Sequence, residues 1–531
     1  MFLKNLGPLT NGRFYMALLA LPFLLLGMLL YTKTLPEFAI FHVLNYDPEY
    51  IYLLNGLSYA LYEQIGYIDH PGTPTIVIIS YLIQLKYFLV STFFPDRNVV
   101  EDLIRNSDQY LHFINIFIVT CFSLLLSGFG IYIYRKTNNL LLAVFYQIVN
   151  LQSSVYIVFL PRMTSEYFVI IASTIISFLL YLIFLRKEKD RFVLILLFAG
   201  FTGFALAIKI LFLPVIILVF LISYKYYRDY FTILAIMIAV FFISISPVLD
   251  KLQVMYEWFS AIFTHTAVYG SGENRVFDFS MMLKNFIRFV RDEKFFFAIF
   301  AFNSAFFVKA FLSYFKNGKS RKDRDYLMFS GAVLICIGCF MVQALKHYAG
   351  GRYFIPAFHL NAILIVINLA ALEKTASWMQ IRYAVAGLIL LLLAARIFDY
   401  RALLEERTDL YADWRKMQSI QENLEKNSRI YNVYQGYNYE SSFAFGNHYT
   451  KYANGVFTPH LKKVFGMKYL FWGGDRGFAD WDYKNMQSLE EVRKSYKGKI
   501  YIIGTFVLEN PNFKYRLIEN NKVWYVYEIL D

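Results

Sequence analysis

The sequence is 531 residues long, 58% hydrophobic and 19% aromatic, with a mean hydropathy of +0.43 and a formal net charge of +13. This apolar share excludes a water-soluble protein, and the charge does not indicate nucleic acid because Lys and Arg lie in short clusters between apolar runs. The chain is therefore predicted to be a polytopic α-helical membrane protein. Cys121, Cys336 and Cys339 all fall in apolar runs, so neither a disulfide framework nor a zinc site is indicated.

The basic clusters set the predicted topology. Since Lys and Arg are enriched in short cytoplasmic loops, all of these clusters are expected to face the cytoplasm. They lie at 135–136, 186–191, 225–228, 316–324 and 374–382. About eleven membrane spans are predicted, the first of which is interpreted as a retained signal anchor. They lie near 14–31, 110–134, 139–160, 163–185, 192–208, 210–224, 229–250, 294–315, 326–344, 353–372 and 381–398.

One further apolar run, at residues 75–90, does not fit this count. It begins on the outer side and must also end there if the basic cluster at 135–136 is internal. We therefore predict that it is re-entrant or lies along the membrane surface, a position that suits Lys86 and the aromatic residues beside it.

From about residue 399 the composition becomes that of a soluble α/β domain. A polar amphipathic helix is predicted at 400–427, strands at 429–434 and 499–507, and a closing hairpin from 513–517 and 523–529. The predicted domains are a transmembrane catalytic domain at 1–398, with a first outer loop at about 32–74, and an extracytoplasmic α/β domain at 399–531. The second domain has no Gly-rich phosphate loop and no plausible catalytic triad.

Ionisable residues gather in the segments that the topology places on the outer side. Ionisable side chains near the hydrocarbon of a bilayer carry a free-energy cost, so their presence there indicates a functional site. The candidates are Asp47, Glu49, Asp69, His70, Arg162, Glu166, Lys209, Lys346, His347, Arg352 and Tyr353. Arg162 and Glu166 are four residues apart, so they are expected on one helical face, where a plain ion pair is the simpler interpretation. Lys209 lies between apolar runs, where snorkelling to the interface is the simpler interpretation.

Taken together, these acids and cations indicate a site for an anionic, lipid-linked substrate, with carboxylates for proton transfer and cations for a phosphate. In order and spacing they resemble the polytopic glycosyltransferases of the GT-C class. Within that class they resemble the protein O-mannosyltransferase and aminoarabinose-transferase-like families, which include bacterial members that use polyprenyl-phosphate sugars. The resemblance spans most of the membrane part and rests on Asp47-Pro48-Glu49, Asp69-His70-Pro71-Gly72-Thr73-Pro74, Pro161-Arg162 with Glu166, the run 203–209 with Pro214, and Arg352-Tyr353 with Pro356.

Two departures from the family pattern stand out. The family's first acidic motif is often an adjacent Asp-Glu pair, whereas Pro48 separates Asp47 from Glu49 here. The family's paired histidines are replaced by Asp69-His70. These differences concern the acceptor and any metal more than the general reaction.

The resemblance implies a role for each candidate. Asp47 is expected to be the general base that deprotonates an acceptor hydroxyl, which then attacks the sugar with inversion. Lys209, Arg352 and Lys346 are expected to bind the lipid phosphate. Glu166 either shares the acceptor site or completes a divalent-cation site with Asp47, where oxygen ligands favour Mg²⁺ or Mn²⁺. The remaining substrate-binding candidates are Glu49, Asp69, His70, Arg162, His347 and Tyr353.

These roles predict an inverting glycosyltransferase of the inner (plasma) membrane whose active site is extracytoplasmic. Its partners would be a polyprenyl-phosphate-linked sugar and a glycan, lipid or protein acceptor. Asp47, Glu166, Lys209 and Arg352 are expected to converge on one outward-facing cavity, with carboxylates toward the acceptor and cations toward the phosphate. The alternatives are a transporter or flippase of lipid-linked glycans, which predicts interrupted helices and internal repeats, and a non-catalytic sensor.

Overall fold

The structure is a computed structural model, and part of the chain is described by it. The described residues are 12–39, 41, 49–68, 72–94, 98–185, 188–266, 272–316, 320–347, 350–373, 378–424, 428–433, 438–450, 454–466, 470–472, 477–479, 481, 487–504, 507–508, 513–521 and 524–530. The predictions for Asp47, Asp69 and His70 lie outside the described residues.

The membrane part is built almost wholly of helices. In chain order the first nine are α1 (Gly12–Thr34), α2 (Pro36–Ala39), α3 (Glu49–Ala60), α4 (Thr73–Ser91), α5 (Val99–Arg105), α6 (Ser107–Thr137), α7 (Leu140–Val149), α8 (Val155–Val158) and α9 (Ser165–Leu185). The next nine are α10 (Glu188–Ile208), α11 (Leu213–Ile222), α12 (Tyr230–Ser244), α13 (Leu252–Thr264), α14 (Phe279–Asp292), α15 (Lys294–Lys316), α16 (Arg321–Lys346), α17 (Ile355–Leu372) and α18 (Trp378–Leu424). Short 3₁₀ turns at Ile210–Phe212, Tyr224–Asp229, Ser246–Lys251 and Gly351–Phe354 adjoin several of them.

Within the described residues, ten helices are long and apolar enough to cross a bilayer. They are α1, α4, α6, α9, α10, α12, α15, α16, α17 and α18. The predicted polytopic helical fold with a small C-terminal sheet is therefore confirmed. Two of the eleven predicted spans are shorter than expected, because 139–160 and 210–224 each contain an apolar helix of only ten residues, α7 and α11.

Polar residues explain why the run at 139–160 breaks. α7 ends at Val149, and the backbone then bends through Asn150, Gln152 and Ser153 before the single turn of α8. Gln152 is buried and donates to the carbonyl oxygen of Phe358 at 2.7 Å. Side-chain bonds of this kind satisfy a non-helical backbone at membrane depth, so a hydrophobic average does not guarantee one continuous span.

The run at 75–90 lies within a single helix, α4, which has the length and apolarity of a span. It packs on α3, where Gly56 makes room for Ile79: a Cβ at Gly56 would lie 2.7 Å from Ile79 Cγ2. That this segment has both ends on the outer side remains a prediction.

α18 is one continuous helix of 47 residues, so the predicted last span and the predicted polar helix after it are joined. At 1.5 Å per residue it is about 70 Å long, far more than a bilayer core, and it carries the chain from the membrane into the C-terminal region. Its last turns place Met417 against the sheet residues Ile430, Ile503 and Trp524. The predicted domain boundary at 398/399 falls inside this helix and remains a prediction.

The C-terminal region holds a mixed sheet of six strands in the order β3-β2-β1-β4-β6-β5. Its elements are β1 (Ser428–Val433), α19 (Tyr439–His448), α20 (Asn454–Phe465), β2 (Leu470–Trp472), β3 (Phe478–Ala479), α21 (Leu489–Ser495), β4 (Lys499–Gly504), β5 (Tyr515–Asn520) and β6 (Tyr525–Ile529). β1 runs parallel to β2 and β4, whereas β6 is antiparallel to β4 and β5. β5 and β6 form the closing hairpin that the sequence predicts.

α19 docks this region onto the membrane part through α3. A Cβ at Gly446 would lie 2.6 Å from the backbone oxygen of Tyr50, so only glycine allows the two helices to come this close. Tyr439 at the start of α19 donates a hydrogen bond to Asp108 of α6, and Lys463 of α20 pairs with Glu101 of α5 at 2.5 Å. The C-terminal region therefore contacts α3, which lies within the predicted first outer loop, and also α5 and α6, which follow α4.

Candidate active site

Three charged side chains from distant parts of the sequence meet inside the helical bundle. Lys209 Nζ lies 3.0 Å from Glu166 Oε1, and Arg352 Nη1 lies 4.0 Å from the same oxygen. Glu166 and Lys209 are each only 3% exposed. We call Glu166, Lys209 and Arg352 the charge triad, and they are three of the four residues that were expected to converge.

Helix ends position each member of the charge triad. Glu166 lies in the first turn of α9, where the helix dipole favours a carboxylate. Lys209 follows α10 in an extended conformation, with φ −158° and ψ 130°, before the chain turns into α11. Arg352 lies on the 3₁₀ turn Gly351–Phe354 between α16 and α17. The residue before this turn is Gly350, whose φ of +95° is a conformation that favours glycine.

The charge triad carries a net formal charge of +1. A buried carboxylate with two cations is costly to desolvate, and the pairing at 3.0 Å offsets that cost only in part. The site therefore favours one additional negative charge near Lys209 and Arg352. This electrostatic character suits a phosphate, which Lys binds as a point charge and Arg can grip through two oxygens.

A cleft opens beside Lys209 and contains about 440 Å³ of empty space, part of which is open to solvent. Its lining includes Trp258 of α13, Gln343 of α16, His347 and Tyr353. The Tyr353 ring lies below both cations, with its centroid 5.7 Å from Lys209 Nζ and 5.3 Å from the Arg352 guanidinium carbon. Such cation–π contacts hold both cations beside the Tyr353 ring, and of the two cations Lys209 lines the cleft.

A second charged cluster surrounds Glu49, which lies in the first turn of α3 and is 1% exposed. Arg162 Nε lies 3.0 Å from Glu49 Oε1. The loop that carries Arg162 is held by Asn115, whose amide donates to the carbonyl oxygen of Arg162 at 2.9 Å, and by Lys33, which donates to that of Pro161 at 2.9 Å. The structure therefore joins the first outer loop to the start of α9.

The expectation that Arg162 and Glu166 share one helical face is wrong. α9 begins at Ser165, so Arg162 lies before the helix and helical periodicity does not apply to the pair. Arg162 pairs with Glu49 and Glu166 pairs with Lys209. The expected separation of carboxylates from cations is also not what the structure has, because Glu166 lies between Lys209 and Arg352.

Lys346 and His347 occupy different positions although they are adjacent. Lys346 Nζ donates to the carbonyl oxygens of Ile262 and Phe263, at 3.1 and 2.5 Å, at the C-terminal end of α13. A cation there interacts favourably with the helix dipole and with carbonyls that lack intrahelical partners. His347 is buried and lines the cleft. Lys346 thus ties α16 to α13, the two helices that carry Gln343 and Trp258.

Glu293 is a buried acid that the sequence reasoning missed. Glu293, between α14 and α15, accepts a hydrogen bond from Ser153 Oγ at 2.8 Å, and burial raises its pKa to about 7. A Cβ at Gly351 would lie 2.2 Å from Glu293 Oε1, so the carboxyl group lies directly against the turn that carries Arg352. The available signal was an acid immediately before the predicted span at 294–315.

The described residues do not fit a divalent cation at Glu166. Among them no group of three or more His, Cys, Asp or Glu side chains is arranged to hold a metal ion. Lys209 and Arg352 already neutralise the Glu166 carboxylate, and they would repel a dication placed beside it. The surroundings of Glu166 therefore do not support its expected role as a metal ligand together with Asp47.

In the comparison with known proteins, this chain is similar to solved structures. No protein-family model matches the chain, and no curated protein matches it. The crystal structure of ArnT from Cupriavidus metallidurans bound to undecaprenyl phosphate is similar over 95% of this chain and 97% of that one, with 11% identity and a TM-score of 0.43. The apo structure of the same protein is similar over 81% and 91%, with 12% identity and a TM-score of 0.39. At this degree of likeness the function rests on the chain's own residues.

Proposed function

We propose that this protein is a membrane glycosyltransferase that moves a sugar from a polyprenyl-phosphate carrier to an acceptor hydroxyl. The observation that carries the proposal is the charge triad, in which buried Lys209 and Arg352 converge around Glu166 with a net charge of +1. A polyprenyl-phosphate sugar is a phosphodiester with one negative charge, so it would bring this site to neutrality. Burial among helices also suits a donor whose lipid tail stays in the membrane.

The proposed role of the two cations is to stabilise the leaving phosphate. When the bond between the anomeric carbon and the phosphate oxygen breaks, its electron pair stays on that oxygen, which becomes more negative. Fixed cations in a partly dry site stabilise such developing charge much more than the same cations would in bulk water. Arg352 would hold two phosphate oxygens, while Lys209 acts as a point charge.

The acceptor half of the reaction is assigned from the resemblance of the first outer loop. Asp47 would accept the proton of the acceptor hydroxyl as its oxygen forms the new bond to the anomeric carbon. Attack opposite the leaving phosphate inverts the anomeric configuration, and the products are the glycosylated acceptor and the polyprenyl phosphate. The positive-inside rule, applied to the basic clusters, favours the outer face of the membrane for this proposed step. The acceptor is a glycan, lipid or protein.

Glu166 has a different proposed role from the one that the sequence suggested. Because it is already paired with Lys209 at 3.0 Å, it is poorly placed to serve as a second base. It lowers the charge of the triad from +2 to +1, which keeps the empty site stable inside the bundle. It also limits how tightly a phosphate can be held.

The experiment that tests the proposal compares Asp47→Asn with Lys209→Ala in purified protein reconstituted into nanodiscs. Asp47→Asn should abolish sugar transfer and leave the binding of undecaprenyl phosphate intact, whereas Lys209→Ala should weaken that binding. Lys225→Ala is the matched control, because Lys225 also pairs with a carboxylate, Asp325, at 2.7 Å, but outside the charge triad. Unchanged lipid binding by a folded Lys209→Ala variant would refute the phosphate site.

A further inference from the structure

The cleft beside Lys209 has features that phosphate binding does not use. Gln343 Oε1 is buried and accepts no hydrogen bond within the part of the chain that the structure describes. Trp258 forms another part of the wall, on a different helix. A buried polar atom without a partner is uncommon in a folded protein and points to a ligand or water that would satisfy it.

We propose that this cleft binds the sugar of the donor and that the sugar is uncharged. The proposal rests on the proposed function, because the sugar is attached to the phosphate that Lys209 and Arg352 would hold. Lys209 belongs both to the charge triad and to the cleft lining. A group bonded to that phosphate therefore enters the cleft directly.

The chemistry of the cleft wall matches a sugar. A pyranose ring has an apolar C–H face, which packs well against the flat indole of Trp258, and hydroxyl groups on its edge, which can donate to Gln343 Oε1. Pockets for small ligands are mostly apolar with a few polar groups that fix orientation. The cleft has this composition, since Ile210, Leu211 and Ile262 line it as well.

The charges of the cleft discriminate between sugars. No described residue that lines it is acidic, and Lys209 supplies a positive charge. The nearest carboxylate that the structure describes at Lys209 is Glu166, which is shared with Arg352. With the donor phosphate bound, the triad and the phosphate together are neutral, so an ammonium group in the cleft would lose its hydration without a described carboxylate of the lining to pair with, whereas a neutral sugar has no such cost.

The two walls of the cleft are fixed relative to each other. Lys346 of α16 donates to the last carbonyl oxygens of α13, and these are the helices that bear Gln343 and Trp258. The cleft is thus formed before a ligand arrives, which lowers the entropy cost of binding.

The test measures binding of three lipids in nanodiscs: undecaprenyl phosphate, the same lipid carrying glucose, and the same lipid carrying 4-amino-4-deoxyarabinose. Trp258→Ala and Gln343→Leu should each lower the affinity for the glucose lipid by roughly tenfold and leave the affinity for the bare lipid unchanged. Gln343→Glu should raise the affinity for the amino-sugar lipid relative to the glucose lipid by roughly tenfold. Tyr256→Ala is the control, because Tyr256 lies two residues from Trp258 and is 67% exposed.

The outcomes separate this proposal from the proposed function. If the bare lipid binds through Lys209 but Trp258→Ala and Gln343→Leu keep the wild-type ratio between glucose lipid and bare lipid, the sugar site is refuted and the transferase proposal stands. A wild-type preference for the amino-sugar lipid also refutes it. If the wild-type protein binds none of the three lipids, both proposals fail.

Discussion

Replacing Glu166 with Gln should tighten the binding of undecaprenyl phosphate. The substitution keeps the shape of the side chain but removes the negative charge that lies 3.0 Å from Lys209 and 4.0 Å from Arg352. The triad then carries +2 rather than +1. In the wild-type protein the carboxylate and the bound phosphate would share the same two cations, so they repel each other.

The size of the effect follows from the geometry. A phosphate oxygen on the far side of Lys209 Nζ would lie about 6 Å from the Glu166 carboxylate, since a charge-assisted hydrogen bond is close to 3 Å long. At that separation and an effective dielectric constant of about 20, the repulsion is about 3 kcal/mol. Solvent in the cleft reduces it, so an increase in affinity between about tenfold and a hundredfold is expected.

The same substitution should destabilise the empty protein, because Lys209 loses its partner while remaining buried. Removing one partner of a buried ion pair typically costs about 3 to 5 kcal/mol, and the remaining repulsion between Lys209 and Arg352 adds to it. Binding of the lipid should restore much of this loss. The thermal midpoint of Glu166→Gln should therefore be lower than that of the wild type without lipid, and should rise more when lipid is added.

The assay is a titration of nanodisc-embedded protein with undecaprenyl phosphate, combined with thermal unfolding at several lipid concentrations. Asp325→Asn is the matched control, since Asp325 pairs with Lys225 at 2.7 Å outside the charge triad, and it should not change lipid affinity. Weaker or unchanged lipid binding by folded Glu166→Gln would show that Glu166 does not oppose the phosphate, and the reasoning from the charge triad would be refuted.

Three further predictions concern Arg352, Glu293 and α4. Arg352→Lys keeps the charge but loses the two-point grip, so kcat/KM for the donor should fall at least about tenfold in a transfer assay. Burial raises the pKa of Glu293 to about 7, above its unfolded value. The contribution of Glu293 to the free energy of unfolding is therefore full below about pH 4.5 and is lost as the pH rises through 7. Glu293→Gln should flatten this pH dependence of stability in thermal unfolding. If α4 has both ends outside, Thr92→Cys in a background without the native cysteines should react with an impermeant thiol reagent added to intact cells.

Each of these predictions has a result that would contradict it. Wild-type donor kinetics in Arg352→Lys would mean that the guanidinium does not bind two phosphate oxygens. A pH dependence of stability that persists in Glu293→Gln would assign the titration to another group. Labelling of Thr92→Cys only after the cells are opened would show that α4 crosses the membrane and would require the loss of one other span.

The sequence predicted the elements whose signal is local. The hairpin of β5 and β6 follows from two strand-like runs around a polar turn. The break after α7 could not be predicted, because 139–160 is apolar on average. Just after that helix, Gln152 donates to the carbonyl oxygen of Phe358, more than 200 residues away, and no local pattern encodes such a contact.

The charge triad shows the same limit at the level of a site. The sequence indicated Glu166, Lys209 and Arg352 individually, because each is an ionisable residue at the end of an apolar run. Their pairing depends on helix packing. A Cβ at Gly203 would lie 2.2 Å from the backbone oxygen of Met237, so the contact of α10 with α12 is set by the absence of a side chain. The lysine at the end of α10 reaches Glu166 only within that packing.

The position of Glu166 also bears on how the proposed reaction would end. The donor is a diester with one negative charge, whereas the product is a phosphate monoester that carries about 1.5 to 2 negative charges near neutral pH. The donor would bring the triad from +1 to zero, but the product would leave it negative. Repulsion between the product phosphate and Glu166 therefore increases as soon as the sugar has left, which favours release. Glu166→Gln should for this reason retain the first turnover and slow the following ones, as the tightly held product blocks the site.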